Sequence, residues 1–201
     1  VVLLAFDTST PAVTVALDGG PSHTVVAANR HGELLAPGIE HVLRAAGLRP
    51  RDVTGVVVGL GPGPFTGLRV GIVTARALAA ALGIPAYGVC SLDALAAPGI
   101  AVATDARRRE VYWAAYGDER DGPHVGKPYD VAERLRANGF STIAGAGARL
   151  YPEAFDGFTV TDDEYPDARR LLDAPRTDDL TPLYLRRPDA TPPGPRKKVT
   201  A

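Results

Sequence analysis

Two aspartates stand at the ends of apolar runs, Asp7 after residues 1–6 and Asp105 after residues 100–104. A carboxylate so placed, followed by hydroxyls such as Thr8 and Ser9, can hold Mg²⁺ while nearby amides face phosphate oxygens. Asp, Ser and Thr are also ordinary turn formers that bond their own backbone. For the isolated chain the turn is the favoured reading, and nucleotide contact at Asp7, Thr8, Ser9 and Asp105 is the competing one. In the second half only Gly145-Ala146-Gly147 offers a loop for a nucleotide, which adds Gly145 and Gly147 to that set.

Gly61-Pro62-Gly63-Pro64-Phe65-Thr66-Gly67 lies between a strand pattern and a helix pattern, where a phosphate cradle would sit. Leu68-Arg69 stands where a Walker loop needs Lys-Ser/Thr, and Pro62 and Pro64 bring no N–H, so a rigid turn is the simpler reading. His23, His31, His41 and His124 show no His-x-x-x-His spacing, and no serine sits in a Gly-x-Ser-x-Gly elbow. His31 and His41 read as capping or packing residues. A single cysteine, Cys90, rules out an intrachain disulfide and fits a reducing compartment. Arg107-Arg108-Arg109, beside Tyr112 and Trp113, is a short basic run that reads as a solvated turn, with RNA contact as the alternative.

Strands and helices alternate behind these residues. The first apolar run reads as a buried strand, and Val13, Val15 and Leu17 alternate as a second. Residues 24–28 suggest a third. Helical spacing covers 33–46, with Pro37 assigned to the first turn, and a strand follows at 55–59. A long helix spans 66–82, then come a strand over 85–89 and a short helix capped by Ser91. The second half restarts this pattern. With Asp105 placed over Asp7 (105 − 7 = 98), Val111, Trp113 and Ala115 fall on Val13, Val15 and Leu17. Domain duplication is the better reading, against two unrelated hairpins. Beyond it are a helix near 130–138 and a strand at 142–144. The expected organisation is a first lobe over 1–97, a smaller degenerate lobe over 98–187 and a flexible tail over 188–201. There is no methionine, so chain before Val1 is expected. The short joins at 19–22, 97–99 and 165–180 raise the same expectation there.

The segments Phe6-Asp7-Thr8-Ser9-Thr10, His31-Gly32-Glu33-Leu34-Leu35-Ala36-Pro37, Gly61 to Gly71, Asp105 to Trp113 and Pro182-Leu183-Tyr184-Leu185-Arg186 together resemble the TsaB (YeaZ) family. That resemblance implies an α/β, actin/Hsp70-like (ASKHA) fold of duplicated ribonuclease-H-like lobes, the second degenerate. It also implies a non-catalytic subunit that helps install threonylcarbamoyl on adenosine 37 of tRNAs reading codons that begin with A. The implied partners are the catalytic paralogue TsaD, TsaE, and tRNA through the complex. No cofactor of its own is implied, with ATP or ADP at the level of the complex, and the isolated chain is a candidate homodimer. A stand-alone ATPase or small-molecule kinase of the same fold is the alternative, and a peptidase finds no support in these residues.

With 22 basic and 23 acidic side chains, the net charge of −1 gives no global field for nucleic acid. The opening apolar run is too short for a membrane span, and a cytoplasmic protein without metal is expected. The helix over 66–82 has two apolar stripes, one through Leu68, Ile72, Ala75, Ala79 and Leu82, the other through Val70, Val73, Ala77 and Ala81. Only Arg69 and Arg76 interrupt it, and Gly71, Ala75 and Ala79 are small residues four apart. A two-sided helix is expected, one side on its own sheet and one on a partner, with Leu34, Ile39 and Val42 of the neighbouring helix completing the face. An ordinary core helix is the alternative.

Overall fold

The computed structural model describes residues 1–186, so the tail over 188–201 lies outside the described residues. Strands β1 (Leu3–Asp7), β2 (Ala12–Leu17), β3 (Ser22–Val26), β4 (Gly55–Gly59) and β5 (Ala86–Val89) form one sheet in the order β3-β2-β1-β4-β5. Strands β6 (Ile100–Asp105), β7 (Val111–Tyr116), β8 (Arg120–Gly126), β9 (Thr142–Ala144) and β10 (Thr159–Val160) form the other, ordered β8-β7-β6-β9-β10. In each, the first three strands are antiparallel and the last two join in parallel. The order and polarity therefore occur twice, as duplicated ribonuclease-H-like lobes require.

Helices fill equivalent places in the two lobes. α1 (His31–Ala45) and α2 (Phe65–Leu82) serve the first lobe, and α3 (Pro128–Ala137) and α4 (Ala146–Leu150) serve the second. Leu4, Phe6, Val15 and Val58 meet Leu35, Val42, Leu68 and Ile72 in the first core. Trp113 and Ile143 meet Val131, Leu135 and Ala148 in the second. The apolar strands are buried against these stripes, and that burial, at about 25 cal/mol per Å², is the main force holding each lobe together. α1 begins at His31, two residues before the expected start, so Pro37 lies in its second turn and removes one intrahelical donor there.

The duplication is real, but its alignment shifts by one residue along β6. Val13, Val15 and Leu17 face the helices as Val111, Trp113 and Ala115 do, which keeps 111 − 13 = 98 for β7. Leu4 pairs with Leu17 and Phe6 with Val15, whereas Ala101 pairs with Ala115 and Ala103 with Trp113. Leu4 therefore matches Ala101 (101 − 4 = 97), Asp7 matches Thr104, and Asp105 takes the place of Thr8. A one-residue slip turns a side chain to the other face of its sheet. The β6–β7 turn contains the extra residue. β6 is buried on both faces, so its sequence has no alternation that could have revealed the slip.

After β10 the chain leaves the second sheet. Ala168 and Leu171 of α5 (Ala168–Leu171) pack on Ala5, Ala16 and Val57, the face of the first sheet opposite α1 and α2. Thr177 exchanges backbone hydrogen bonds with Gly88 at 2.8 and 2.9 Å, and the Leu183 amide donates to the Leu60 carbonyl at 2.8 Å. Residues 98–187 are thus not one packed unit, because the last part belongs to the first lobe's core. Two of the three joins that looked short, at 19–22 and 97–99, close as tight turns. Gly20 donates to the Leu17 carbonyl at 3.0 Å, and Ile100 to Ala97 at 3.1 Å after Gly99 at φ +77°.

Candidate functional site

Asp7 ends β1 with its side chain inside the protein, 1% exposed. One carboxylate oxygen accepts from the Ser9 amide at 2.8 Å and the Ser9 hydroxyl at 2.7 Å, and the other accepts from the Ser91 hydroxyl. Burial pushes the Asp7 carboxyl above its ordinary range, against the opposing pull of these hydroxyls. A Cβ on Gly59 would collide with this carboxylate, so β4 must have glycine there. Ser91 does not cap the 3₁₀ turn over Ser91–Leu95, whose N-cap is Cys90. Its hydroxyl instead joins Asp7 to the Gly61 amide, 3.0 Å away. Thr8 donates to the Gly67 carbonyl at 2.8 Å and accepts from the Gly71 amide at 3.1 Å. His31 Nε2 lies 2.6 Å from the Thr10 carbonyl and, as donor, ties α1 to the same turn. Asp7, Thr8 and Ser9 therefore bind β1, the glycine loop, α2 and the 3₁₀ turn to one another.

Asp105 does not join them. Its carboxylate accepts from the Arg107 amide at 2.7 Å and pairs with the Arg107 guanidinium at 3.4 Å. Gly145, at φ +99°, has no room for a side chain, since a Cβ would lie 2.3 Å from the Ala103 carbonyl oxygen. Gly147 presses on the same peptide. The Gly145 and Ala146 amides donate to the carbonyls of Asp163 and Glu164 at 2.8 and 2.9 Å. Two of the three amides of this loop are thus engaged by the chain itself. A cleft of about 320 Å³ between the lobes is lined by Ser9, Thr10, Thr104, Asp105, Arg149 and Tyr165 among others. Of the six residues expected around a nucleotide, only Ser9 and Asp105 line it. Among the described residues no cluster of three His, Cys, Asp or Glu is placed to hold a metal ion.

α2 turns most of one stripe to the sheet and most of the other outward, although Val70 of the second stripe packs against the first core. Gly67, Leu68, Gly71, Ile72 and Ala75 are buried against the sheet, Ala75 completely. Thr66, Arg69, Val73, Ala77, Ala80 and Ala81 are exposed, and Val73 is 60% accessible. The expected partner face is corrected accordingly. Ile39, Val42, Leu68, Gly71, Ile72 and Ala75 are used by the lobe's own core, and Leu34 and Ala79 are half-buried. Arg69 stacks over the Phe65 ring at 3.7 Å, and Arg76 donates to the Leu180 carbonyl at 3.0 Å. By length and mean hydropathy, 1.4 over 18 residues, α2 resembles a membrane span, yet its inward side is the core of the first lobe.

The β6–β7 turn has an uncommon backbone. Arg107, Arg108 and Arg109 take φ of +60°, +54° and +58°, three successive left-handed positions without glycine. Each costs roughly 1–2 kcal/mol relative to the right-handed form. All three are exposed. Sequence reading singled out the run, but nothing in it signalled this geometry.

Residues 7–145 match the family model "TsaD: tRNA N6-adenosine threonylcarbamoyltransferase". The tRNA threonylcarbamoyladenosine biosynthesis protein TsaB of Haemophilus influenzae is 38% identical over 92% of this chain and 93% of its own length. The chain belongs to the TsaB family. YeaZ from Pseudomonas aeruginosa superposes with a TM-score of 0.72 at 33% identity, covering 86% of this chain and 90% of that one. The fold is thus the actin/Hsp70-like one that the duplicated lobes indicate. An uncharacterised protein of Mycobacterium leprae is 44% identical over 95% of this chain, which spans 56% of that relative's length.

Proposed function

We propose that this chain serves tRNA threonylcarbamoyladenosine biosynthesis as a non-catalytic subunit that docks on the transferase TsaD. The observation that carries this reading is the outward side of α2. Val73, Ala77 and Ala81 form an exposed apolar stripe on a helix whose other side is already core. An apolar helix face left in water is the kind of surface that a partner covers. The family model matched over 7–145 describes the transferase itself, which supports a partner of the same fold presenting an equivalent helix pair. α1 would complete a four-helix contact through its outward residues. The non-catalytic role is supported by the engaged Asp7 and by the glycine turn, whose Gly145 and Ala146 amides are already bonded. TsaE and ATP or ADP enter at the level of the complex, in the cytoplasm, and the same face offers the isolated chain a route to a homodimer.

Depletion of the protein tests this reading through threonylcarbamoyladenosine in tRNAs that read codons beginning with A. A fall in that nucleoside by mass spectrometry, together with co-purification of the transferase, is expected. Unchanged nucleoside levels, or ATP turnover by the chain alone at about 1 s⁻¹ or more, overturn it.

A further inference from the structure

We propose that the 3₁₀ turn Ser91–Leu95 rivets the two lobes at one fixed angle, so that the cleft between them neither opens nor closes around a ligand. A cleft between two lobes ordinarily implies hinge closure, with a few residues at the crossing absorbing the change in backbone angles. Here the crossing from β5 to β6 is made by this turn, and each of its five side chains is fastened to one lobe or the other. The Ser91 hydroxyl is bonded to Asp7 and to the Gly61 amide of the first lobe. Ala94 packs with Ala5, Val57 and Val89 on the first sheet. Leu92 and Leu95 pack with Val102, Ala114 and Ala144 on the second. Asp93 supplies the polar tie to that second lobe. Its carboxylate accepts from the Tyr116 hydroxyl of β7 at 2.6 Å and from the Arg120 guanidinium of β8 at 3.2 Å.

Burial makes this grip stiff. Ser91, Leu92, Ala94 and Leu95 are at most 1% exposed, and the Asp93 side chain is 8% exposed. Burial pushes the Asp93 carboxyl upward, against the opposing pull of Tyr116 and Arg120. A motion that drew β7 and β8 away from the turn would strip a buried carboxylate of both donors, which is costly. The returning chain adds a second fastening. Leu183 touches both the first core and the cluster around Leu92 and Leu95, and its amide is bonded to the Leu60 carbonyl. Packed cores of this kind have discrete arrangements and do not deform continuously. The inference deepens the non-catalytic reading, because a cleft that cannot close cannot shut water out of a reaction.

The test reads the distance between nitroxide labels on the full chain by double electron–electron resonance. The labels sit on Asp18→Cys of the first lobe and Glu133→Cys of the second, both exposed. Cys90 stays in place, since its buried thiol, pushed up to about 11, is spared by thiol reagents. Excess unlabelled chain restricts the reading to pairs within one molecule. With the rivet intact one narrow distance is expected, unmoved by added magnesium ATP. Asp93→Ala is expected to add a second, displaced distance holding about a tenth or more of the molecules. Arg120→Met, at a side chain 34% exposed, removes one of the two donors and is expected to add a smaller share of the same distance. Asp118→Ala, in the exposed β7–β8 turn, is expected to add none. A shift of the labelled chain on magnesium ATP overturns the rivet, while the non-catalytic reading stands or falls separately on ATP turnover. A folded Asp93→Ala with the single narrow distance overturns it too, as does an Asp118→Ala that spreads the distances equally. If Asp93→Ala does not fold, Arg120→Met decides on the same criterion, and an unchanged single distance there overturns the proposal.

Discussion

The helix that follows β4 in the first lobe runs for 18 residues, whereas its counterpart after β9 runs for five. Both leave a glycine turn of similar backbone, Gly61 at φ +96° and Gly145 at φ +99°. The first lobe continues into a helix longer than its own sheet needs, and the surplus stripe faces outward. The second lobe stops after little more than one turn, and the amides at its start are bonded to residues 163 and 164. One topology has thus produced an outward-looking surface in one copy and a closed structural turn in the other. The position at the end of the central strand diverged in the same way. The first copy has a buried carboxylate there, and the second has Thr104.

The largest effect tests the two sides of α2 through adjacent residues. Ile72→Glu places a charge in the first core and is expected to cost about 4 kcal/mol or more, read as a lost or strongly lowered unfolding transition. Val73→Glu, one residue away but exposed, is expected to change stability by no more than about 0.5 kcal/mol. It should nevertheless weaken co-purification with the transferase about 100-fold, or about 3 kcal/mol. If both variants fold and both still bind, the separation of stripes has no functional content.

A smaller effect separates the glycine turns. Gly145→Ala meets a backbone carbonyl that cannot move aside, and a loss of about 3 kcal/mol, roughly 10 °C in melting temperature, is expected. Gly61→Ala meets the ends of the Leu68 side chain at 2.9 Å, which can shift, and the Gly63 amide nitrogen less closely, at 3.1 Å. About half that loss is expected. Equal losses would mean that the turns do not differ in how tightly they are held.

The smallest effect is a pH slope. Burial raises the Asp7 carboxyl above 3.8 in the folded state, so the folded protein holds that proton more tightly than the unfolded chain does. The resulting stabilisation is full below the unfolded value and is lost as pH rises through the folded value. The stability of wild type minus Asp7→Asn should therefore fall as pH rises from the unfolded value through the folded one and stay level above it. Thr104→Val, at the matching place in the other lobe, should show no such slope. Thermal melts across a pH series decide between a slope and a flat line.

Much of this comparison was legible in the residues. The strand at Gly55–Gly59 and the helix ending at Leu82 announce themselves through Val-Val-Val between glycines and through Gly83 after the last apolar position. The duplication showed through Val111, Trp113 and Ala115. Its register did not, because Ala101, Val102 and Ala103 are buried on both faces and only pairing fixes their direction. The two stripes of α2 were visible too, but both are apolar, so composition could not say which one the sheet takes. Gly145 and Gly147 looked like a phosphate loop, since close backbone approach to Ala103 and to a phosphate demand the same residue. Ser91 looked like a cap because its partner, Asp7, is 84 residues away. The return of residues 168–183 to the first lobe has no periodicity that would reveal it.

That return also orders events during synthesis. Ala5, Ala16, Val57 and Val89 have all left the ribosome long before Leu171 and Leu172, which help to cover them, have been made. At about 5–20 residues per second the interval is roughly 4–17 s. For that time the nascent first lobe is closed on its helical side and only partly covered, by Ala94 of the 3₁₀ turn, on the other. A chaperone that recognises small apolar strips has its opportunity then, and a chain released before residue 168 never completes that cover.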